Sequence, residues 1–394
     1  MKIAINLTRD YIGGITTSNL SLMHHLHTHD YEFVGIEITG RMYMKGPTLF
    51  RPFAPELFDH HIINIHHLPL KKAVTDKTTL TSLKKHYSEA INLTREILRE
   101  TKPDVVFLSG TYYIPWIISV AARLEKIPIV LWYSGVLSQE VDQHSIAKKA
   151  FYTKMERDIA SSAVSTIFPS KLCKTVVENE ITRKKIARAY VIPNPLPKLF
   201  TESEPSFSSV ERRISAIGRY TRIKNFDRFF ALHKALNKEG WNHTASFVTS
   251  GVIPRGRMPK SVEMLPAMTP EGLKSFYLSQ GLIICPSVFE TFGNVPMEAV
   301  SLGIPVLVSD TMGCAEILCK AGLKNMVVSF NDLPTVADRV KELCGQSVLP
   351  KQMNAVRRML DPYLINEEIR AVITTSYNFY TTARNRALSR AQRT

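Results

Sequence analysis

The stretch Pro286-Ser287-Val288-Phe289-Glu290-Thr291-Phe292-Gly293-Asn294-Val295-Pro296-Met297-Glu298 sets two carboxylates, Glu290 and Glu298, around a turn that carries a glycine. The apolar run before it, Leu282-Ile283-Ile284-Cys285, reads as a buried strand. Pro296 suits the first turn of a helix, where its missing N–H costs nothing. That helix runs on through Met297, Ala299, Val300 and Leu302 until Gly303-Ile304-Pro305 stops it. In a strand–turn–helix unit a ligand sits at the carboxyl end of the strand. The first N–H groups of the helix, near Asn294 and Val295, can receive a phosphate, and Gly293 lets the backbone approach it. Carboxylates are poor phosphate partners and good acceptors for sugar hydroxyls. The segment therefore points to a ligand made of sugar plus phosphate.

The same alternation extends in both directions. Toward the N-terminus, strands are expected at Ile3–Leu7, Glu32–Ile38, Asp104–Leu108, Ile127–Trp132 and Ser165–Phe168. Helices are expected near Thr16–His27, Leu80–Arg99, Pro115–Leu124 and Ile146–Ala160. Residues 41–70, rich in proline, aromatics and histidine, read as irregular. The run Ile192-Pro193-Asn194-Pro195-Leu196-Pro197 breaks any regular element and marks a boundary. Beyond it the pattern restarts with strands at Ile214–Ile217, Ala245–Thr249, Val262–Leu265, Leu282–Cys285, Pro305–Val308 and Met326–Ser329. Helices at Phe226–Leu236, Glu271–Leu278 and Cys314–Leu318 lie between them, and helices from Leu333 and Ile365 close the chain. Strands alternating with helices indicate two α/β domains with parallel sheets. The expected division is 1–195, 196–364, and a basic helical tail, 365–394, that crosses back to the first domain.

A chain of 394 residues suits two or three domains. Its five cysteines include no CxxC pair, which argues for reduced thiols in a cytosolic protein and against a disulfide framework or zinc site. No apolar stretch reaches the ~18–20 residues of a membrane helix, and the N-terminal run is too short for a signal peptide. The net charge is +15, in clusters such as Lys71-Lys72, Lys84-Lys85, Lys148-Lys149 and Arg183-Lys184-Lys185, with Arg384, Arg386, Arg390 and Arg393 in the tail. These clusters fit solvated faces, a phosphorylated acceptor or an anionic membrane surface. No zinc-finger, helix-turn-helix or aromatic RNA-binding signature occurs, so nucleic acid is not an expected partner.

Four motifs stand in register. Ile192-Pro193-Asn194 looks like a linker signature, and Ile217-Gly218-Arg219 with Lys224-Asn225 looks like a diphosphate-binding loop. Pro286-Ser287 with Glu290 to Glu298 looks like a donor-sugar block, and Gly303-Ile304-Pro305-Val306 follows it. Together they resemble the GT-B glycosyltransferases, most closely the large family 4 of retaining, nucleotide-sugar-dependent enzymes. The resemblance implies two Rossmann-like domains whose parallel sheets face across a cleft. It implies a sugar moved from a nucleoside-diphosphate donor to a hydroxyl of a glycolipid or polysaccharide. Arg219 and Lys224 would stabilise the diphosphate and Glu290 would touch the donor sugar; these three are the expected catalytic residues. Glu298 would take the ribose hydroxyls, and Leu265 would line the nucleobase pocket. The backbone of Phe292, Gly293, Asn294 and Val295 would face sugar and phosphate. Gly13 and Gly14, after the first strand, would approach the β-phosphate.

The resemblance also implies a front-face route without a covalent nucleophile, in which the leaving phosphate takes the acceptor's proton. No metal or other cofactor is expected, and no Asp-x-Asp occurs in the chain. The family's usual His or His-Asp after the strand Ile129–Trp132 is replaced by Tyr133-Ser134-Gly135, so the hydroxyls of Tyr133 and Ser134 are the substitutes expected at the sugar. Pro266 stands where the family often has glycine, and Asn194-Pro195 where it has Asn-Gly. Arg41 and Tyr43, in the irregular segment, are candidate acceptor contacts. The expected location is cytoplasmic, with peripheral contact at the inner face of the cell membrane.

Three other readings are weaker. Transfer to a soluble small molecule is the nearest. A nucleotide-sugar epimerase needs acid/base carboxylates and histidines that are not evident, and a non-catalytic sugar-nucleotide-binding subunit would account for the missing His. His24, His25, His27 and His29 look like a metal tract, but only His25 and His29 are spaced i,i+4, and structural or solvated roles are expected for them. Gly251-Val252-Ile253-Pro254-Arg255-Gly256-Arg257 imitates a phosphate loop without its Lys-Ser/Thr.

Overall fold

The computed structural model describes residues 1–7, 14–40, 58–65, 75, 77–140, 146–204, 212–250 and 252–391. It divides into two compact units, Met1–Ile192 with Tyr363–Thr394, and Pro193–Pro362. Gly13, Arg41, Tyr43 and Gly251, the first residue of the imitation phosphate loop, lie outside the described residues.

The first unit is built on seven parallel strands: β1 (Lys2–Leu7), β2 (Glu32–Gly40), β3 (Phe58–Ile65), β4 (Val105–Ser109), β5 (Ile129–Trp132), β6 (Ser165–Phe168) and β7 (Ala189–Val191). Their order is β3-β2-β1-β4-β5-β6-β7. The second unit has β8 (Arg213–Ile217), β9 (Thr244–Thr249), β10 (Val262–Pro266), β11 (Leu282–Cys285), β12 (Val306–Ser309) and β13 (Val327–Val328), ordered β10-β9-β8-β11-β12-β13. Both sheets follow the doubly wound order, with strand direction of travel reversing beside β1 and β4 in one and beside β8 and β11 in the other. The central strands β4, β5, β11 and β12 are buried along their whole length, as expected when helices cover both faces of a sheet.

The structure corrects the reading of residues 41–70 as wholly irregular, because 58–65 form the edge strand β3. Gly35 pairs with His60 and Glu37 with Ile62. The two histidines interrupt the apolar run that would signal a strand. In the sheet His60 Nε2 lies 3.2 Å from the nearly buried Glu37 carboxylate, so the interruption is matched across the strands. The expected helix Leu80–Arg99 is two helices, Leu80–His86 and Ser88–Thr101. Tyr87 breaks them apart, and its buried ring stacks near Tyr113. Strand β7 and the helix Pro350–Met359 add to the expected elements.

The last helix is a single rod, Pro362–Ala391, of 30 residues. Ile365, Ile369, Val372 and Ile373 are buried along it. Asn366 donates to Ser21, Ser376 Oγ donates to Ser165 Oγ at 2.7 Å, and Arg188 lies 3.3 Å over the Phe379 ring. Among the described residues no helix is long and apolar enough to cross a membrane.

Candidate functional site

At the reversal point of the second sheet, two loops leave the carboxyl ends of neighbouring strands. Ile283 pairs with Ser215, which sets β11 beside β8. After β8, Gly218 has φ 146°, and a Cβ there would meet the Phe226 ring at 3.2 Å. A short 3-10 turn, Arg222–Lys224, follows, and then Asn225 in the left-handed conformation opens the helix Phe226–Lys238. Asn225 Nδ2 donates to the Pro286 carbonyl at 3.1 Å, and the Val288 N–H donates to the Ile223 carbonyl at 2.9 Å. These bonds stitch the loop after β8 to the loop after β11.

The stitching brings Lys224 Nζ to Glu290 Oε1 at 2.7 Å. Ser287 Oγ donates to the same oxygen at 2.7 Å. Thr311 Oγ1 holds the Ser287 carbonyl, and the backbone of Glu290 is bonded to Thr311 and Gly313. The sequence reading gave Lys224 to the phosphates and Glu290 to the sugar; the structure joins them in one ion pair. Arg219 is exposed on the preceding turn and has no ion pair or hydrogen bond among the described residues.

Gly293 begins the helix Asn294–Ser301 with φ 104° and ψ 86°. The first-turn N–H groups of that helix have no partner within it. Asn294 Oδ1 accepts from Asn194 Nδ2 at 3.0 Å, so the boundary segment touches the start of this helix. Phe292 turns its ring into the core, so only its backbone is available to a ligand. One turn in, Glu298 Oε2 accepts from the buried Tyr277 hydroxyl at 2.8 Å. Burial pushes the Glu298 carboxyl up to about 7, against the Tyr277 bond, which lowers it. Leu265 is half-buried on the edge strand β10, with Pro266 exposed beside it.

A raised carboxyl has a sign for stability. The folded chain holds the Glu298 proton more tightly than the unfolded chain, so this group's contribution falls as pH rises from about 4.5 to about 7. Glu298→Gln keeps an acceptor for Tyr277 and should lose that slope. Denaturant midpoints at about pH 5 and pH 8 should show a loss of stability smaller than in the parent by about 1–3 kcal/mol. Equal losses in both proteins would contradict the burial of this carboxyl.

In the first unit, Gly14 opens the helix Gly14–His27 after β1, as the sequence suggests. Tyr133 is a correction. Its side chain is fully buried and its ring stacks on Phe168 at 5.4 Å, so its hydroxyl is not offered to a sugar. Ser134 is half-buried. Two polar groups near the reversal point of this sheet were missed by sequence reasoning. Asn6 and Ser109 exchange backbone and side-chain bonds across β1 and β4, and Ser109 Oγ donates to Asn19 at 2.6 Å. The buried Glu156 accepts from the Leu137 and Ser138 N–H groups and from Thr111 Oγ1, holding the segment after β5 in place. Burial pushes its carboxyl up to about 7 while those bonds pull it back. A polar residue inside an apolar strand, such as Asn6, was the available signal for the first of these.

Residues 255–358 match the family model described as Glycosyl transferases group 1. The matched segment lies within the second unit. The chain is 31% identical over 118 residues to an uncharacterized glycosyltransferase, MJ1607, of Methanocaldococcus jannaschii, covering 27% of this chain and 30% of that protein. It is 25% identical over 179 residues to the amylovoran biosynthesis glycosyltransferase AmsD of Erwinia amylovora, covering 42% and 49%. The matches thus span from under a third to about half the length of these relatives. Among solved structures, the sucrose-phosphate synthase of Thermosynechococcus elongatus superposes with TM-score 0.74 at 13% identity, over 96% of this chain and 99% of that one. WaaG, a glycosyltransferase of lipopolysaccharide biosynthesis, gives 0.64 at 15% identity, over 94% and 99%. The fold is that of the GT-B glycosyltransferases.

Proposed function

We propose that this chain is a retaining glycosyltransferase that moves a hexosyl or N-acetylhexosaminyl group from a nucleoside-diphosphate sugar to a hydroxyl of a glycolipid or polysaccharide. The observation that carries the reading is the Lys224–Glu290 pair at the reversal point of the second sheet, next to the first turn of the helix Asn294–Ser301. A leaving diphosphate needs cations and N–H donors where its charge grows. Lys224, Arg219 and that first turn supply them. The ammonium of Lys224 has three protons, so it can hold Glu290 and a phosphate oxygen together. Glu290 then orients a sugar hydroxyl, and Glu298 takes hydroxyls of the ribose.

The bond between the anomeric carbon and the phosphate oxygen breaks, the acceptor oxygen forms the new bond on the same face, and its proton passes to the departing phosphate. The protein supplies position and charge. Relatives concerned with amylovoran and lipopolysaccharide biosynthesis favour a surface glycan as acceptor.

The test is slow hydrolysis of a panel of UDP-, GDP- and ADP-sugars, with and without glycan extracts. Release of nucleotide from one donor is expected. Tight binding without turnover of any donor would leave a binding subunit, and epimerisation without nucleotide release would redirect the reading. Glu298→Ala should raise the donor dissociation constant by about 10- to 100-fold, the loss of one or two hydrogen bonds to a charged acceptor, with kcat kept within a fewfold. Lost turnover at unchanged donor affinity would refute the ribose assignment.

A further inference from the structure

His25 lies in the last turn of the helix Gly14–His27 and His29 in the turn just after it, and Glu367 of the last helix comes down between them. Glu367 Oε1 is 2.7 Å from His25 Nε2 and 3.3 Å from His29 Nε2, and the three atoms lie within 4.8 Å of one another. Two bonds fix this geometry from outside. His29 Nδ1 is 3.0 Å from the His25 carbonyl, which can only accept, so Nδ1 carries the proton. His29 Nε2 then faces the same Glu367 oxygen as His25 Nε2. On its other side Glu367 is held by Arg370 through both oxygens, at 2.7 to 3.0 Å.

These are the features of a transition-metal site. Two histidines four residues apart, one in the last helical turn and one in the turn after it, give two imidazole nitrogens, and a carboxylate from a second element gives the third donor. A histidine ligand bonded through its other nitrogen to a backbone carbonyl, and a ligand carboxylate bonded in turn, are the usual outer partners of such ligands. Tetrahedral zinc sets its donors about 3.3 Å apart, so changes of a few tenths of an ångström to about 1.5 Å bring the three atoms to that spacing.

We propose that His25, His29 and Glu367 bind one divalent ion of the zinc class, with water completing the shell, and that the ion clasps the last helix to the first helix of the same unit. This site is separate from the donor residues and independent of the transferase reading. The experiment is calorimetric titration of the metal-stripped full chain with zinc chloride alone, with melting curves alongside. One saturable site per chain and a higher melting temperature with zinc are expected. His29→Ala should weaken binding by at least about 100-fold and abolish the zinc-dependent rise. His29 is partly exposed, so the metal-free variant should melt near the parent. His24→Ala, at an exposed position outside the cluster, should bind like the parent. No saturable binding by the parent, which would mean that a proton fills the place between Nε2 and the carboxylate, would overturn the proposal. Parent-like affinity in His29→Ala, which would place the ion on other residues such as the cysteines, would also overturn it.

Discussion

Lys224→Ala should lower turnover of the sugar-nucleotide donor by about 10²- to 10³-fold, the cost of removing one preorganised charge from the place where the leaving group becomes anionic. The ammonium lies 2.7 Å from Glu290 and is about a third exposed, so it reaches both that carboxylate and a ligand. Its attraction to the diphosphate grows as the anomeric bond stretches, so most of the loss should fall on kcat rather than on donor affinity. The fold should survive, because the pair is open to water and its partner keeps the Ser287 hydrogen bond. Steady-state kinetics with the donor identified by the panel would measure this. Turnover within a fewfold of the parent would remove Lys224 from the chemistry.

Gly293→Val should be the most damaging single change to the site's frame, costing about 2–4 kcal/mol in chemical denaturation. At φ 104° a β-branched residue is strained whatever space surrounds it. The space is also absent: a Cβ would lie 2.7 Å from Met312 Cε and 3.1 Å from Cys314 Sγ, both buried. The methionine end can yield, but the backbone cannot, since the Cys314 N–H is bonded to the Phe292 carbonyl at 2.7 Å. Shifting this turn also moves the first N–H groups of the helix Asn294–Ser301, so activity should fall along with stability. A variant as stable as the parent would show that the turn does not need glycine.

The central strands were legible because burial on both faces leaves an unbroken apolar run, as in Leu282–Cys285. Strand β3 was not, because an edge strand can carry His60 when a neighbouring strand supplies Glu37, and His61 when Asp59 of its own strand lies 2.9 Å away. The two loops of the candidate site were each legible from glycine, charge and a following helix. Their meeting was not. Lys224 and Glu290 are 66 positions apart, and only the crossover that sets β11 against β8 brings them together. Tyr133 shows a further limit. The run Ile129–Trp132 locates the strand end, but the direction of the next side chain follows from Phe168, which comes from another strand. The histidine tract was visible as a spacing, and its third donor, Glu367, arrives from a helix more than 300 residues away.

The rod Pro362–Ala391 has a consequence for how the molecule is made. Its buried face belongs to the unit that begins at Met1, so that unit is assembled from the first and last portions of the chain. Domains usually mature in the order in which they leave the ribosome. Here the order is inverted, since Pro193–Pro362 is complete while the earlier unit still lacks a helix that covers its core. Nascent Met1–Ile192 must wait through the synthesis of about two hundred more residues, roughly ten to forty seconds at ordinary elongation rates. During that interval the surface that later receives Ile365, Ile369 and Ile373 lacks its cover.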